Sequence, residues 1–526
     1  MPRRLPHRLL VAVLWCLATP AVAADPALPV AADRALVALD WLVIVAYAVG
    51  MLLVGWYYSR QVKTADDYLL GNRSMKPWAV GLSLFATLLS TISYLSMPGE
   101  IIRHGPMFLC SLAAYPFIIW VVGWFLIPHF MRLPVTSAYE ILEQRLGLGV
   151  RMLGSILFLS LRLLWMAVII HATTRHVLVP LMGLDESAVP WVSVALGVIP
   201  VIYTSMGGLR AVVITDVVQT AILFGGAILA MAFITAEFGG VSGWWPTAWD
   251  PHWQRPSFGY DATARMSFLG ASLATFTWFV CTAGSDQMAI QRYLATRDAA
   301  AARRMFAISM LTGGTVQLFL AMLGFALLAY FRAHPEMLAE GQTIATHADQ
   351  LFPRFIAFAL PPGVTGLVIA GLLAAAMSSL SSGLNASCSV IATDFIARFR
   401  RDEAATADPV ALARWISVLV GAVVVPLSAG VGLIEGNLLE VAYKVVNLLA
   451  APLFGLFVMA LFVPRATAFG TFVGAAAGLA VVVTINYWKE ITGTTGISFL
   501  WGMPLSLLVQ VAVGTLASLL PIGKAR

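Results

Sequence analysis

Residues 371–395 read GLLAAAMSSLSSGLNASCSVIATDF. The stretch lies in a long apolar segment, yet it holds six serines, an asparagine and no charge before Asp394. A helix that only faced lipid has no use for them. Ala375, Ser378, Ser379 and Ser382 recur at i, i+3, i+4 and i+7, which is one helical face, and Ser381 lies beside Ser378. Serine hydroxyls and freed backbone carbonyls are hard, neutral oxygens that suit sodium in a low-dielectric site. Hydroxyls in membrane helices also bond their own i−4 carbonyl or hold helices together, and spacing alone leaves these uses open.

The surrounding chain sets the context. Of its 526 residues, 60% are hydrophobic and 11% charged, against about 25% charged in soluble domains. Apolar runs long enough to cross a bilayer recur throughout, so the chain reads as an all-α polytopic membrane protein. The net charge of +6 is small for this length and no basic cluster suggests nucleic-acid binding. Cys16, Cys110, Cys281 and Cys388 all fall in apolar segments and form neither a disulfide framework nor a CxxC pattern. No His cluster, GxSxG or HExxH points to an enzyme.

Arg3, Arg4 and Arg8, the apolar run Leu9 to Ala18 and Ala21-Val22-Ala23 read as a cleavable secretory signal over 1–23, with an uncleaved anchor as the alternative. Thirteen spans are expected, at roughly 37–58, 77–101, 107–130, 150–178, 189–205, 211–236, 266–284, 305–331, 363–392, 411–434, 438–463, 468–488 and 497–520. Counting from an outside start, 19 of the 32 Lys and Arg fall in loops assigned inside and 8 in segments assigned outside. That bias predicts an external N-terminus and a cytoplasmic C-terminus. Trp244, Trp245, Trp249 and Trp253, in the external stretch 237–265, read as an interfacial belt or, alternatively, a lid.

Three further features carry chemistry. In GLSLFATLLSTISYLSMPGE (81–100), Ser90, Thr91 and Ser93 interrupt an apolar run ahead of Pro98-Gly99. That helix either unwinds at mid-membrane, exposing carbonyls to a cation, or simply kinks. A similar break is expected at Thr282-Ala283-Gly284-Ser285. In YTSMGGLRAVVITDVVQTAILFGG (203–226), Gly207-Gly208 make a tight turn and Asp216 enters an apolar face. Sodium or a nearby arginine would satisfy it. Arg162 and Lys444 are intramembrane cations, and such residues usually face a polar cavity. An acidic partner is the other reading for Arg162, and snorkelling for Lys444.

At this point the chain resembles the sodium/solute symporter family, which includes sodium–glucose, iodide, vitamin, proline and bacterial sialic-acid carriers. The resemblance runs from about residue 40 to 463. It rests on DYLLGNRSMKPWAVGLSLFA, TSAYEILEQRLG, YTSMGGLRAVVITDVVQT, SDQMAIQRYLATRDAAAARR and AAAMSSLSSGLNASCSVIATDF, in that order. It implies a LeuT-like inverted repeat of five plus five helices over 77–463. The helix at 37–58 is then an addition in front, and two helices and a short tail over 464–526 follow.

The resemblance also implies sites. A first sodium is expected on the carbonyls of Ala86, Leu89 and Ala375 and the hydroxyls of Ser378 and Ser379. A second is expected on Asp216, Ser378, Ser381 and Ser382. The aromatic gate of the sugar carriers maps onto Thr282 and Ala283, and the aspartate of the proline carriers onto Leu88. Both features are thus missing. Ser90, Ser93, Arg162 and Lys444 are the expected substrate contacts, the guanidinium suiting a carboxylate.

The function implied is sodium-coupled import of a small carboxylated solute by alternating access: sialic acid, another sugar acid or a monocarboxylate. A neutral sugar or polyol, or a sensor without net transport, is the alternative. The chain is expected as a monomer in a bacterial inner membrane, with the solute, sodium and lipid as its partners and no fused kinase after its last span.

Overall fold

The computed structural model describes residues 36–521 except 133–134, 260–264, 339–340, 400–407, 432–437 and 495. The signal expected over 1–23 lies outside them. The first long helix is α1 (Ala38–Ser59). Next, α2 (Pro77–Leu88) and α3 (Thr91–His104) form one span bent by 67°. Then come α4 (Pro106–Met131), α5 (Leu148–Thr173) and α6 (Val189–Glu237). The second half begins with α7 (Phe268–Ser285) and α8 (Gln287–Leu294), followed by α9 (Ala299–Ala333) and α10 (Val364–Ala397). Last are α11 (Pro409–Gly430), α12 (Leu438–Phe462), α13 (Ala468–Asn486) and α14 (Phe499–Ala517).

Among the described residues, ten helices are long and apolar enough to cross a bilayer, or eleven with the bent pair. That is fewer than the thirteen expected. The spans expected at 189–205 and 211–236 run together in one helical stretch that reverses at Gly208, where φ is 57° and ψ −155°. A Cβ there would sit 2.5 Å from the Tyr68 carbonyl oxygen, so the turn requires glycine. The span expected at 438–463 is α12, a helix of 25 residues whose described part, Leu448–Phe462, is apolar.

Two interruptions shape the centre. Between α2 and α3, Leu89 (φ −93°, ψ 115°) and Ser90 (φ −102°, ψ 168°) are extended, so the last carbonyls of α2 lose their intrahelical donors. Five spans later α7 stops and α8 starts at Asp286 (φ −82°, ψ 123°), whose carboxylate accepts from the Met288 N–H at 2.9 Å. This second break falls one residue beyond the expected stretch.

Between them runs α10, packed on α6, α1, α5 and α2. The helix expected as an addition in front is used structurally. Asp40 of α1 accepts from the N–H groups of Gly363 (2.7 Å) and Gly366 (2.8 Å) at the start of α10. Tyr47 then reaches the Met377 sulfur at 3.5 Å.

The tryptophan belt needs correction. Trp245 and Trp249 are exposed, but Trp244 and Trp253 are buried. Trp253 donates to the Ile102 carbonyl at 3.1 Å and packs on Gly105 at the end of α3.

Candidate functional site

The α2–α3 break lies against the serine face of α10. The Ser378 hydroxyl is 2.7 Å from the Ala86 carbonyl and 3.4 Å from that of Ala375. The Ser379 hydroxyl is 3.0 Å from the Thr87 carbonyl and 3.4 Å from that of Leu89. All five ligands expected for a first ion are therefore brought together. Thr87 joins them, which the sequence reading missed. The donor set is neutral, oxygen-only and buried, which suits a hard monovalent cation. The structure holds the hydroxyls and carbonyls together by hydrogen bonds that an ion would replace.

One turn along α10 the chemistry changes. Asp216 accepts from the Ser83 hydroxyl at 2.5 Å and from Ser382 at 3.5 Å, and pairs with Arg292 at 3.2 Å. The Arg292 guanidinium also donates to Thr87 and Ser382 hydroxyls, each at 2.6 Å, to Ser83 at 3.0 Å and to the Met288 carbonyl. Both charged side chains are fully buried.

At the expected second ion site the Arg292 guanidinium lies against the Asp216 carboxylate. Ser381 does not join the cluster. Its hydroxyl donates to the Ser378 carbonyl at 3.0 Å on its own helix. Arg292, counted as a loop cation, is carried into the core because α8 continues inward from the break at Asp286. Arg151 was counted the same way and is also buried.

Toward the C-terminal end of α3 a cavity of about 160 Å³ adjoins the break. Phe85, Leu88, Leu89, Ile92, Ser93 and Ser96 form one wall. Phe108, Ser111 and Tyr115 of α4 and Trp165 of α5 form a second. Thr275, Trp278 and Phe279 of α7, Ser309, Gln317 and their neighbours on α9, and Val446 of α12 form the rest of the described lining. The aromatic lining of α7 lies at Trp278 and Phe279, ahead of the Thr282 and Ala283 positions where an aromatic gate was judged missing.

The expected substrate contacts scatter. Ser93 lines the cavity. Ser90 lies beneath it, 3.4 Å from the Ser93 hydroxyl. Arg162 does not line the cavity: it is ion-paired with Asp286, so the second break uses up its charge. The Lys444 side chain lies outside the described residues. Trp165, Trp278, Phe279 and Tyr115 read in the sequence as ordinary lipid-facing or core aromatics. Gln317, an amide inside an apolar span, was the one available signal.

The opposite end of the bundle is tied together by polar contacts. Arg151 bridges Glu143 and Asp394, each at 2.6 Å, and Asp394 also accepts from Ser137 and Ser155. Arg398 pairs with Glu143 at 2.8 Å. Hydrogen bonds from Arg398 and then Arg151 hold the Glu143 carboxyl below its ordinary range.

The profile of the sodium:solute symporter family matches residues 68–478. A sodium/sialic acid symporter of Proteus mirabilis is 30% identical, covering 91% of this chain and 95% of its own length. Human sodium-coupled monocarboxylate transporter 1 is 29% identical over 86% of this chain and 74% of its own. A solved sodium-coupled sialic acid symporter, in a substrate-bound outward-open state, superposes with a TM-score of 0.79 at 27% identity, covering 92% of this chain and 98% of its own. The transporter Mhp1 shares the fold alone, at a TM-score of 0.53 and 13% identity.

Proposed function

The chain belongs to the sodium:solute symporter family, and we propose that it imports a small carboxylated solute with sodium bound at the Ala86, Leu89, Ala375, Ser378 and Ser379 oxygens. The observation that carries this reading is the buried oxygen cage at the α2–α3 break, whose Phe85 and Leu89 also wall the cavity. An ion in the cage draws the two halves of the broken helix and α10 together and finishes one side of the solute site. Binding of ion and solute then becomes mutually dependent. The polar ties among Arg151, Glu143, Asp394 and Arg398 close the end of the bundle read as cytoplasmic, so this conformation faces outward. Release requires those ties to part.

Coupling rests on the cage. The Asp216 cluster takes a second ion only if Arg292 withdraws from it. The carboxylate of the solute is supported by the names of the relatives. In the described part of the cavity wall no cationic side chain supplies it.

Reconstitution in proteoliposomes tests the reading. Uptake of a labelled monocarboxylate is expected under an inward sodium gradient and not when potassium replaces sodium. Uptake that proceeds equally in potassium would remove the cage from the mechanism.

A further inference from the structure

The outer half of the broken helix, α3, is held at its far end by the segment that follows α6. The Ile102 carbonyl, in the last turn of α3, accepts from the Trp253 indole N–H at 3.1 Å and faces the His252 Nε2 at 2.8 Å. The other ring nitrogen of His252, Nδ1, lies 2.5 Å from one carboxylate oxygen of Asp250. The second carboxylate oxygen pairs with Arg332, near the end of α9. Trp245 and Trp253 both pack on Phe325 of α9, with ring centroids 5.8 Å away. One histidine thus links α3 to a strap that is anchored on α9.

The two partners fix the protonation of that histidine. A carbonyl oxygen can only accept a hydrogen bond, and so can a carboxylate. Burial opposes the charge on Asp250, but the Arg332 hydrogen bond and the His252 backbone N–H hold its carboxyl below the ordinary range. A neutral imidazole carries one N–H, so it satisfies one of these contacts and sets a lone pair against the other. Only the imidazolium donates to both. The place suits a cation, because the last carbonyls of a helix carry the negative end of its dipole. The other charges nearby are mostly paired: Arg103 of α3 with Asp349 at 3.8 Å, and Glu100 of α3 with Arg265 ahead of α7. His104 of α3 lies within electrostatic reach of His252. The His252 side chain is 30% exposed, so protons from solvent reach it.

The clasp acts on the ion site through α3. From Thr91 to His104 this helix has 14 residues, a rod about 21 Å long. Its near end follows Leu89, whose carbonyl belongs to the cage, and its Ile92 and Ser93 wall the cavity.

We propose that His252 is an external proton site that controls the sodium cage. Protonated, it clasps α3 to the strap and keeps the Leu89 carbonyl in place. Without its proton it must let go of one partner, and α3 is freed at its outer end. The inference rests on the reading of the cage as the sodium site. Sodium and the proton then favour each other's binding by the same factor. Histidine changes charge between about pH 5 and 8, so sodium binds more tightly at the acidic end of that range.

The test is a sodium titration of the Tm of the purified full chain, at about pH 5.5 and about pH 8. The sodium concentration giving half of the full rise is expected to be about fivefold lower at the acidic pH. His252→Gln cannot take up the proton, and it should show the weaker value at both. Asp250→Asn can donate its amide to an unprotonated Nδ1 while its oxygen still faces Arg332. A neutral imidazole then satisfies both contacts, and the tighter value is expected at both. His334→Gln should keep the parent's step.

A parent without the step overturns the inference and leaves the cage standing. So does a step that survives in His252→Gln or in Asp250→Asn, or one that is lost in His334→Gln. A parent whose Tm does not respond to sodium at either pH overturns the cage reading and the inference together.

Discussion

Two oxygen clusters lie one turn apart on α10, and they differ in where positive charge comes from. At Ser378 and Ser379 the partners are the backbone carbonyls of Ala86, Thr87 and Leu89, and among the described residues no fixed cation contacts the two hydroxyls. At Ser382 the partner is Asp216, and Arg292 contacts both. A neutral cage can take an ion and give it up, because neither state strands a buried charge. A buried carboxylate cannot be left bare, so it keeps a permanent partner. The two helix breaks repeat the contrast. The α2–α3 break leaves carbonyls for a mobile ion, while Asp286 at the second break is matched by Arg162.

The largest effect should come from stripping the fixed cation. Arg292→Leu leaves Asp216 buried and alone, at a cost of about 3–5 kcal/mol. Replacing both residues with leucine should recover most of that loss in thermal unfolding of the purified protein. If the single variant is as stable as the parent, Arg292 does not hold the cluster.

A sharper test lies in the serines. Ser379→Ala should raise the sodium concentration for half-maximal uptake about tenfold, a loss of ~1.4 kcal/mol. Ser382→Ala should leave it within about twofold. Equal sodium shifts in the two variants would erase the distinction between the clusters.

Voltage counts the ions that move. One sodium with one monoanion carries no net charge, so a potassium-diffusion potential should barely alter accumulation. If a second sodium also crosses, each 100 mV adds ~2.3 kcal/mol of driving force. Strong voltage dependence would mean that Arg292 yields its place.

The smallest effect concerns a partly exposed histidine at the end of α9. His334 lies between Glu237 and Glu336, at 2.5 and 3.1 Å. The hydrogen bond to Glu237 raises its pKa above the usual ~6.5. A raised pKa stabilises the fold fully below the unfolded value, and that gain is lost as pH rises through the native one. The side chain is 32% exposed, so the effect should stay under about 1 kcal/mol. The Tm is expected to fall slightly as pH rises above neutrality, and His334→Gln should flatten that slope. An unchanged slope would assign it to other groups.

Much of this was legible beforehand, for particular reasons. The serine spacing of α10 and the Ser90 interruption are local signals, and both led to groups that meet in space. Asp216 was legible as a charge needing a partner, but which partner was not. Arg292 follows Asp286 by six residues in a stretch read as a loop, and only the direction α8 takes from the break carries it inward. Trp278 and Phe279 were hidden for a related reason: an aromatic facing lipid and one facing a cavity look alike in an apolar span.

The sequence by itself determined the membrane class, the family, the two interruptions and, through the family resemblance, five residues whose oxygens meet at the first of them. Hydrophobic length, helical period and turn residues act over short distances and leave marks in order along the chain. Only the tertiary structure decided which cations are spent and which oxygens stay open. Arg162 meets Asp286 and Arg292 meets Asp216 across 124 and 76 residues, and pairing at that range depends on how helices pack. Among the described residues the Ser96 hydroxyl has no hydrogen-bond partner, which likewise depends on how the helices pack.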